Sequence, residues 1–107
     1  MNPKPGEVWL ADLGLAAKTR PVVIISRDDP NPPRALAIYL PLTTQYRGSQ
    51  YEVELGQLSF LNAPSVANAQ GIGSIPLIRL ERKIGNVPPE VFSKIIQAVL
   101  FALNRNT

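Results

Sequence analysis

The chain has no cysteine and no histidine among its 107 residues. Without cysteine, disulfide bonds and thiolate zinc sites are excluded. Without histidine, the chain lacks the usual general base at neutral pH and the commonest metal-ligating side chain. Any catalysis must therefore use other groups, and we predict neither a metal site nor a cofactor.

Long apolar runs and strong charge are also missing. No apolar segment approaches the ~20 residues that a membrane-spanning helix needs, and the N-terminus lacks the apolar stretch of a signal peptide. We therefore expect a cytoplasmic protein with no membrane partner. The formal net charge of +3 permits a nucleic-acid partner without requiring one. The length and the 45% hydrophobic content suit one domain over residues 1–107.

What is present is a short apolar run at residues 20–26, with the sequence RPVVIIS. Its four consecutive Val and Ile residues predict a strand that is buried on both faces. Arg20 lies at the start of this strand, and its guanidinium carries a permanent positive charge because it cannot lose its proton in a protein. A cation held at the start of a rigid strand suits a phosphate site, although most arginines at strand ends are simply solvated.

Hydrophobic patterning predicts further strands on both sides of this run. They cover residues 7–12, 35–41, 51–55 and 65–69. The segment 35–41 is apolar at nearly every position, so we expect it to be buried on both faces. The segment 51–55 alternates strictly, which predicts one face in contact with solvent. Residues 76–82 are predicted to form one helical turn followed by a short strand into 83–85.

A helix is predicted to begin at Pro88 or Pro89, because proline suits the first helical turn and apolar residues then recur at helical spacing. Phe101 falls on the polar face of this helix, which hints at a subunit contact. Five or six short strands closed by one C-terminal helix predict a mainly β fold, arranged as a small and strongly bent β-barrel.

Two threonines, Thr43 and Thr44, follow the strand predicted at residues 35–41. The end of one buried strand and the start of another can meet at a sheet edge. Threonine hydroxyls and the guanidinium of Arg20 would then bind one phosphate together. The alternative is that the two threonines form a solvated turn.

Four segments in order resemble the MazF/PemK (Kid) family of toxins. They are PGEVW at 5–9, TRPVVIIS at 19–26, LPLTT at 40–44 and IGNVPPE at 84–90. The resemblance implies an SH3-like β-barrel of the MazF, PemK and CcdB kind, a homodimer, and cleavage of single-stranded mRNA without a metal or other cofactor. It also implies inhibition by a cognate antitoxin peptide, and association with operator DNA together with that antitoxin.

In this resemblance, the 2′-hydroxyl of the RNA attacks the adjacent phosphorus, so the substrate supplies its own nucleophile. Arg20 matches the catalytic arginine and Thr43 matches the threonine that holds the phosphate. The other residues expected to bind RNA are Lys18, Thr19, Thr44, Tyr46, Arg47, Asn68 and Gln70.

The chain departs from the family at its acid–base pair. One branch of the family carries Arg-x-Asp on a later strand, and Asn68 and Gln70 occupy these positions here. A carboxamide cannot take up a proton as a base, and it cannot replace a cation. Asp12, at the end of the first predicted strand, is the nearest candidate proton acceptor, and capping of a turn is the alternative for it.

Three functions therefore stay open. The first is an endoribonuclease toxin that acts on single-stranded mRNA. The second is a catalytically weak binding module of the same fold, for antitoxin, DNA or RNA. The third is a toxin that acts on another protein, as related barrel toxins act on gyrase, and only the fold supports it.

Overall fold

The computed structural model describes residues 2–14 and 19–105. Within these residues, seven strands and one α-helix follow one another. They are β1 (Glu7–Asp12), β2 (Thr19–Ile24), β3 (Leu36–Thr43), β4 (Glu52–Glu54), β5 (Val66–Asn68), β6 (Gly73–Pro76), β7 (Leu80–Asn86) and α1 (Pro89–Ala102). No helix of the described residues is long and apolar enough to cross a membrane. The mainly β class with one C-terminal helix is confirmed.

The long strand β3 organises the sheet. The strands follow the order β4-β5-β3-β2-β1-β7, and β6 pairs with β3 outside this path. One edge of β3 pairs with β2, and its other edge pairs first with β6 and then with β5. All these pairs are antiparallel. Because β2 and β5 both lie beside the end of β3, residues from three strands meet there.

Strand β2 lies between two apolar layers. Val22, Val23 and Ile24 are completely buried. Val23 belongs to a cluster that includes Ile95 of α1, whereas Val22 and Ile24 belong to a second cluster on the other side of the sheet. The prediction that the central strand is buried on both faces is confirmed. Burying a side chain of this size contributes about 1.5–3 kcal/mol, so β2 is a rigid support for the residues at its start.

The same expectation is wrong for the first half of β3. Leu36 and Ile38 are 41% and 44% exposed. Both point to the side of the sheet that carries α1, since they alternate with Ala37 and Tyr39 of the opposite cluster. Two large apolar side chains next to each other on an exposed strand are a feature of interaction surfaces.

The elements near the C-terminus largely follow the predictions. The helical turn is a 3₁₀ turn at Leu77–Arg79, and β7 after it is longer than expected. Helix α1 begins at Pro89, as proline at the first turn favours. Phe101 is half-buried, and its ring packs edge-on against Tyr51 with centroids 5.1 Å apart. Phe101 therefore has an aromatic contact within the chain, and a subunit contact at this residue stays a prediction.

Candidate active site

Arg20 and Thr43 lie near each other, where β2 begins and β3 ends. Val22 pairs with Pro41 across β2 and β3. Arg20 and Thr43 each lie two residues beyond this pair, and each is on the same face of its strand as the paired residue. Both residues line a cavity of about 320 Å³, which we call the arginine pocket. It is lined by Arg20, Pro21, Leu42, Thr43, Thr44 and Ser65.

The two buried or half-buried hydroxyls of this pocket have different hydrogen-bond partners. The backbone N–H of Gln45 donates to Thr43 Oγ1 at 3.1 Å. The Thr43 hydroxyl is thus an acceptor in this bond, and its own proton stays available for a ligand. Ser65 Oγ instead donates to the carbonyl oxygen of Ala63 at 3.1 Å, so its proton is already used. Of these two hydroxyls, Thr43 is the one suited to donate to a phosphate oxygen.

A second cavity, of about 430 Å³, adjoins the first, and Thr43 belongs to both. We call it the amide groove because three of its side chains are carboxamides. It is lined by Thr43, Gln45, Arg47, Ser49, Tyr51, Glu52, Asn68 and Gln70. One wall is the loop between β3 and β4, and the other is the end of β5 with the turn that follows it.

Asn68 fixes the wall formed by this turn. Its Oδ1 accepts a hydrogen bond from the backbone N–H of Gln70 at 3.0 Å, which caps the 3₁₀ turn Ala69–Gly71. The side chain of Gln70 is exposed at the groove. Asn68 and Gln70 therefore both lie in the groove with Thr43, and Asn68 has a capping role there.

Glu52 is a groove residue that the sequence reasoning missed. It lies opposite Asn68 across β4 and β5. Hydrogen bonds, first of all from the Ser49 side chain, lower the pKa of the Glu52 carboxyl below its ordinary value. The strict alternation of residues 51–55 indicates that Glu52 faces solvent. Its pairing with Asn68 depends on how β4 and β5 pack, and the sequence alone does not show this.

The family is decided by comparison with known proteins. The model of PemK-like, MazF-like toxins of type II toxin–antitoxin systems matches residues 4–103. The chain belongs to this family. Two curated relatives, both named Endoribonuclease MazF3 and from Mycobacterium tuberculosis strains CDC 1551 / Oshkosh and ATCC 25618 / H37Rv, are each 37% identical over 68 residues. These 68 residues are 64% of this chain and 66% of each relative.

Solved structures of the same family agree with the fold over nearly the whole chain. An endoribonuclease from a mycobacterial species is 27% identical with a TM-score of 0.84, over 100% of this chain and 96% of that one. Another mycobacterial endoribonuclease, solved in complex with its cognate antitoxin, is 28% identical with a TM-score of 0.85, over 98% of both chains. This toxin therefore shares its architecture with endoribonucleases.

Asp12 caps a turn outside the two cavities. Its Oδ1 accepts a hydrogen bond from the backbone N–H of Gly14 at 2.9 Å, where Gly14 has φ +76°. Asp12 lines neither the arginine pocket nor the amide groove. The alternative for this residue, capping of a turn, is what the geometry supports.

Of the remaining residues expected to bind RNA, two line the cavities, and Thr19 and Tyr46 line neither of them. Thr44 lines the arginine pocket, and Arg47 lines the amide groove, where its Nη2 donates to Gln45 Oε1 at 3.4 Å. Thr19 is exposed at the start of β2, and Tyr46 is 49% exposed on the loop between β3 and β4. Lys18 lies outside the described residues.

The two cavities offer the cations of Arg20 and Arg47, hydroxyls, amides and the carboxylate of Glu52. No group of three or more acidic, cysteine or histidine side chains is placed to hold a metal ion among the described residues. Lys83 of β7 forms an ion pair with Glu7, with Nζ 3.2 Å from Oε2. Arg20 is exposed in the arginine pocket, so its positive charge is accessible to an anion from solvent.

Proposed function

We propose that this toxin is a metal-independent endoribonuclease that cleaves single-stranded mRNA. The observation that carries the proposal is the meeting of Arg20 and Thr43 in one pocket of a MazF-like fold. A permanent cation and a hydroxyl with a free proton are the donors that a phosphodiester needs as negative charge develops on its oxygens. The names of the relatives support the same reaction class.

In the proposed reaction, the 2′-oxygen of the RNA attacks the adjacent phosphorus and the bond to the 5′-oxygen of the next nucleotide breaks. The products are a 2′,3′-cyclic phosphate and a free 5′-hydroxyl. The Arg20 guanidinium stabilises the negative charge on the phosphorane oxygens, and the Thr43 hydroxyl donates to one of them. Each such donor is worth on the order of 3 kcal/mol in the transition state.

Proton transfer is the weak part of this site. The 2′-hydroxyl must lose a proton, and the carboxamides of Asn68 and Gln70 cannot accept it. Glu52 is a poor base, because its pKa is lowered. Water then accepts the proton of the 2′-hydroxyl and supplies a proton to the leaving 5′-oxygen. The reaction forgoes general acid–base assistance of about 10²–10⁴-fold. We therefore expect a slower nuclease than one with a carboxylate at position 70.

The proposed partners are a second copy of the chain, a cognate antitoxin peptide and single-stranded RNA, all in the cytoplasm, with operator DNA bound together with the antitoxin. Exposed apolar side chains support the homodimer. Leu36 and Ile38 lie on β3, and Ile72 and Ile78 flank β6, where Ile78 is 90% exposed. Sedimentation at micromolar concentration checks this, with a dimer expected and a monomer contradicting it.

The proposed activity is tested by incubating purified protein with a long single-stranded RNA in EDTA. Wild type is expected to produce fragments with 2′,3′-cyclic phosphate ends, and Arg20→Ala is expected to produce almost none. Absence of cleavage by wild type, or equal cleavage by Arg20→Ala, rejects the proposal. Fragment ends with a 3′-hydroxyl reject the mechanism.

The second candidate is a binding module that is catalytically weak. The observation in its favour is the pair Asn68 and Gln70, which places amides beside Thr43 where an acid–base pair would act. Gln70→Asp distinguishes the two functions. If the natural protein is inactive and Gln70→Asp cleaves strongly, the natural protein is a binder; if the natural protein already cleaves, it is an enzyme.

A further inference from the structure

The loop between β3 and β4 is closed by one carboxylate. Glu52 Oε1 accepts hydrogen bonds from the backbone N–H of Ser49 at 3.0 Å and from Ser49 Oγ at 2.8 Å. Glu52 Oε2 accepts a third from the backbone N–H of Arg47 at 3.2 Å. The carboxylate therefore binds two backbone N–H groups of its own loop, one on each side of Gly48, which has a φ of +71°.

Ser49 connects this carboxylate to the strand. Its Oγ donates to Glu52 and also accepts from the backbone N–H of Tyr51 at 3.3 Å. The backbone N–H of Glu52 donates in turn to the carbonyl oxygen of Ser49 at 3.2 Å. These bonds are local to residues 47–52, so the loop shape depends on polar contacts that solvent can compete for, and the ionised form of Glu52 is the acceptor common to three of them.

The negative charge of Glu52 lies where it would weaken RNA binding, so its presence in the groove needs a compensating role. Glu52 lines the amide groove beside Thr43, where the proposed substrate carries a phosphate. A negative charge in such a groove weakens binding of a polyanion. The compensating role is structural, because the three hydrogen bonds that Glu52 accepts hold Arg47 and Ser49 in the wall of the same groove.

We propose that Glu52 is a positioning residue that shapes the loop between β3 and β4 into the RNA-binding wall of the amide groove. It acts through Arg47 and Ser49 and takes no part in the chemical step. The inference has two parts. The RNA part, that the loop binds RNA, rests on the proposed function. The loop part, that Glu52 shapes the loop, rests on the hydrogen bonds alone.

The direction in which Glu52→Gln changes RNA affinity tests the RNA part. Glu52→Gln keeps the size of the side chain. It offers only one acceptor oxygen, because its NH₂ group cannot accept a hydrogen bond from a backbone N–H. If Glu52 were only a charge near RNA, its removal would tighten RNA binding. If Glu52 positions the loop, Glu52→Gln weakens binding, and we expect KM to rise roughly 10-fold while kcat changes by less than about 2-fold.

Glu54→Gln is the matched control. Glu54 lies on the same strand, is exposed and does not line the amide groove. The substitution removes the same charge, and RNA binding is expected to stay unchanged or to tighten slightly. Ser49→Ala provides a second variant, expected to weaken binding in the same direction as Glu52→Gln but by less, because Glu52 keeps its two backbone donors.

Binding is measured with a single-stranded RNA that spans a mapped cleavage site. A 2′-deoxy nucleotide at this site removes the attacking hydroxyl, so the RNA is bound but not cleaved. If no cleavage site is found, poly(A) and poly(U) are the probes. Tighter or unchanged binding by Glu52→Gln, in a variant that melts like wild type, overturns the RNA part. Failure of wild type to bind any of these RNAs overturns the proposed function as well.

The loop part is tested without RNA by a pH titration of backbone amide shifts in NMR spectra. The amides of Arg47 and Ser49 are expected to titrate together with the Glu52 carboxyl, below its ordinary value of 4.5, because the hydrogen bonds lower its pKa. These transitions are expected to vanish in Glu52→Gln and persist in Glu54→Gln. Amides that do not follow Glu52 overturn the loop part, whatever the RNA experiments give.

Discussion

The arginine pocket and the amide groove share Thr43, yet they are built in different ways. The arginine pocket is formed by the ends of β2 and β3 and by Ser65, at positions set by strand pairing. The amide groove is formed by a loop and a 3₁₀ turn, each held by a side chain that accepts from nearby backbone N–H groups. Buried strands such as β2 hold a residue more firmly than exposed local bonds do.

This difference suggests a division of labour within one site. The rigid pocket carries the cation and the hydroxyl proton that a developing negative charge needs, whereas the groove offers amides and an adaptable wall for nucleotides. Losses in the arginine pocket should therefore appear mainly in kcat, and losses in the amide groove mainly in KM.

Arg20→Ala is expected to have the largest effect. Removal of a preorganised donor to a developing oxyanion costs about 10²–10³-fold in kcat, and RNA affinity should fall much less because one phosphate contact is lost. Arg20→Lys should recover only part of the rate, because an ammonium keeps the charge but lacks the planar fork of donors. Single-turnover cleavage measures the rate, and exposed Arg105→Ala is the control. A fall in affinity alone would contradict the assignment of Arg20 to the chemical step.

Thr43→Val comes next, with an expected loss of kcat of about 10–100-fold. Valine has nearly the same shape, so the pocket keeps its size while it loses the proton that a phosphate oxygen would accept. It also leaves the backbone N–H of Gln45 without its acceptor. Thr43→Ser keeps the hydroxyl and should retain most of the rate. Equal rates for Thr43→Val and wild type would remove Thr43 from the mechanism.

Asn68→Ala should instead raise KM, by about 3- to 10-fold, with kcat nearly unchanged. The loss of Oδ1 removes the cap of the turn Ala69–Gly71, and such caps contribute about 1 kcal/mol. The turn then presents Gln70 less firmly to RNA. Steady-state cleavage gives both constants, and Asn31→Ala, an exposed carboxamide in the loop between β2 and β3, is the control. A fall in kcat alone would break the proposed division between pocket and groove.

The arginine pocket could be anticipated from the sequence for a physical reason. A run of Val and Ile residues predicts a buried strand, and two buried antiparallel neighbours leave little freedom for the residues at their ends. Arg20 and Thr43 could therefore be expected to meet once both strands were recognised, and the family resemblance named them. The helix was predictable because its apolar period repeats over four turns.

Strand β6 and the role of Glu52 could not be anticipated in this way. Gly73 and Pro76 at the ends of β6 are residues that usually interrupt strands, and pairing with β3 overrides that preference. Alternation places Glu52 on the exposed side of β4, but its function depends on a loop that folds back over it. Contacts that form only after the chain has folded leave no periodic trace in the sequence.

Ser65→Ala is the smallest change and a sensitive test of the arginine pocket. Ser65 lines this pocket with Thr43, so proximity alone would give both hydroxyls a similar role. Their hydrogen bonds differ, because Ser65 Oγ donates to the carbonyl of Ala63 whereas Thr43 Oγ1 accepts from Gln45. A hydroxyl whose proton is already bound has none to donate to phosphate. We therefore expect the cleavage rate of Ser65→Ala to stay within about 2-fold of wild type in single-turnover experiments. A loss of rate as large as that of Thr43→Val would show that the Ser65 hydroxyl donates its proton to the substrate instead of to Ala63.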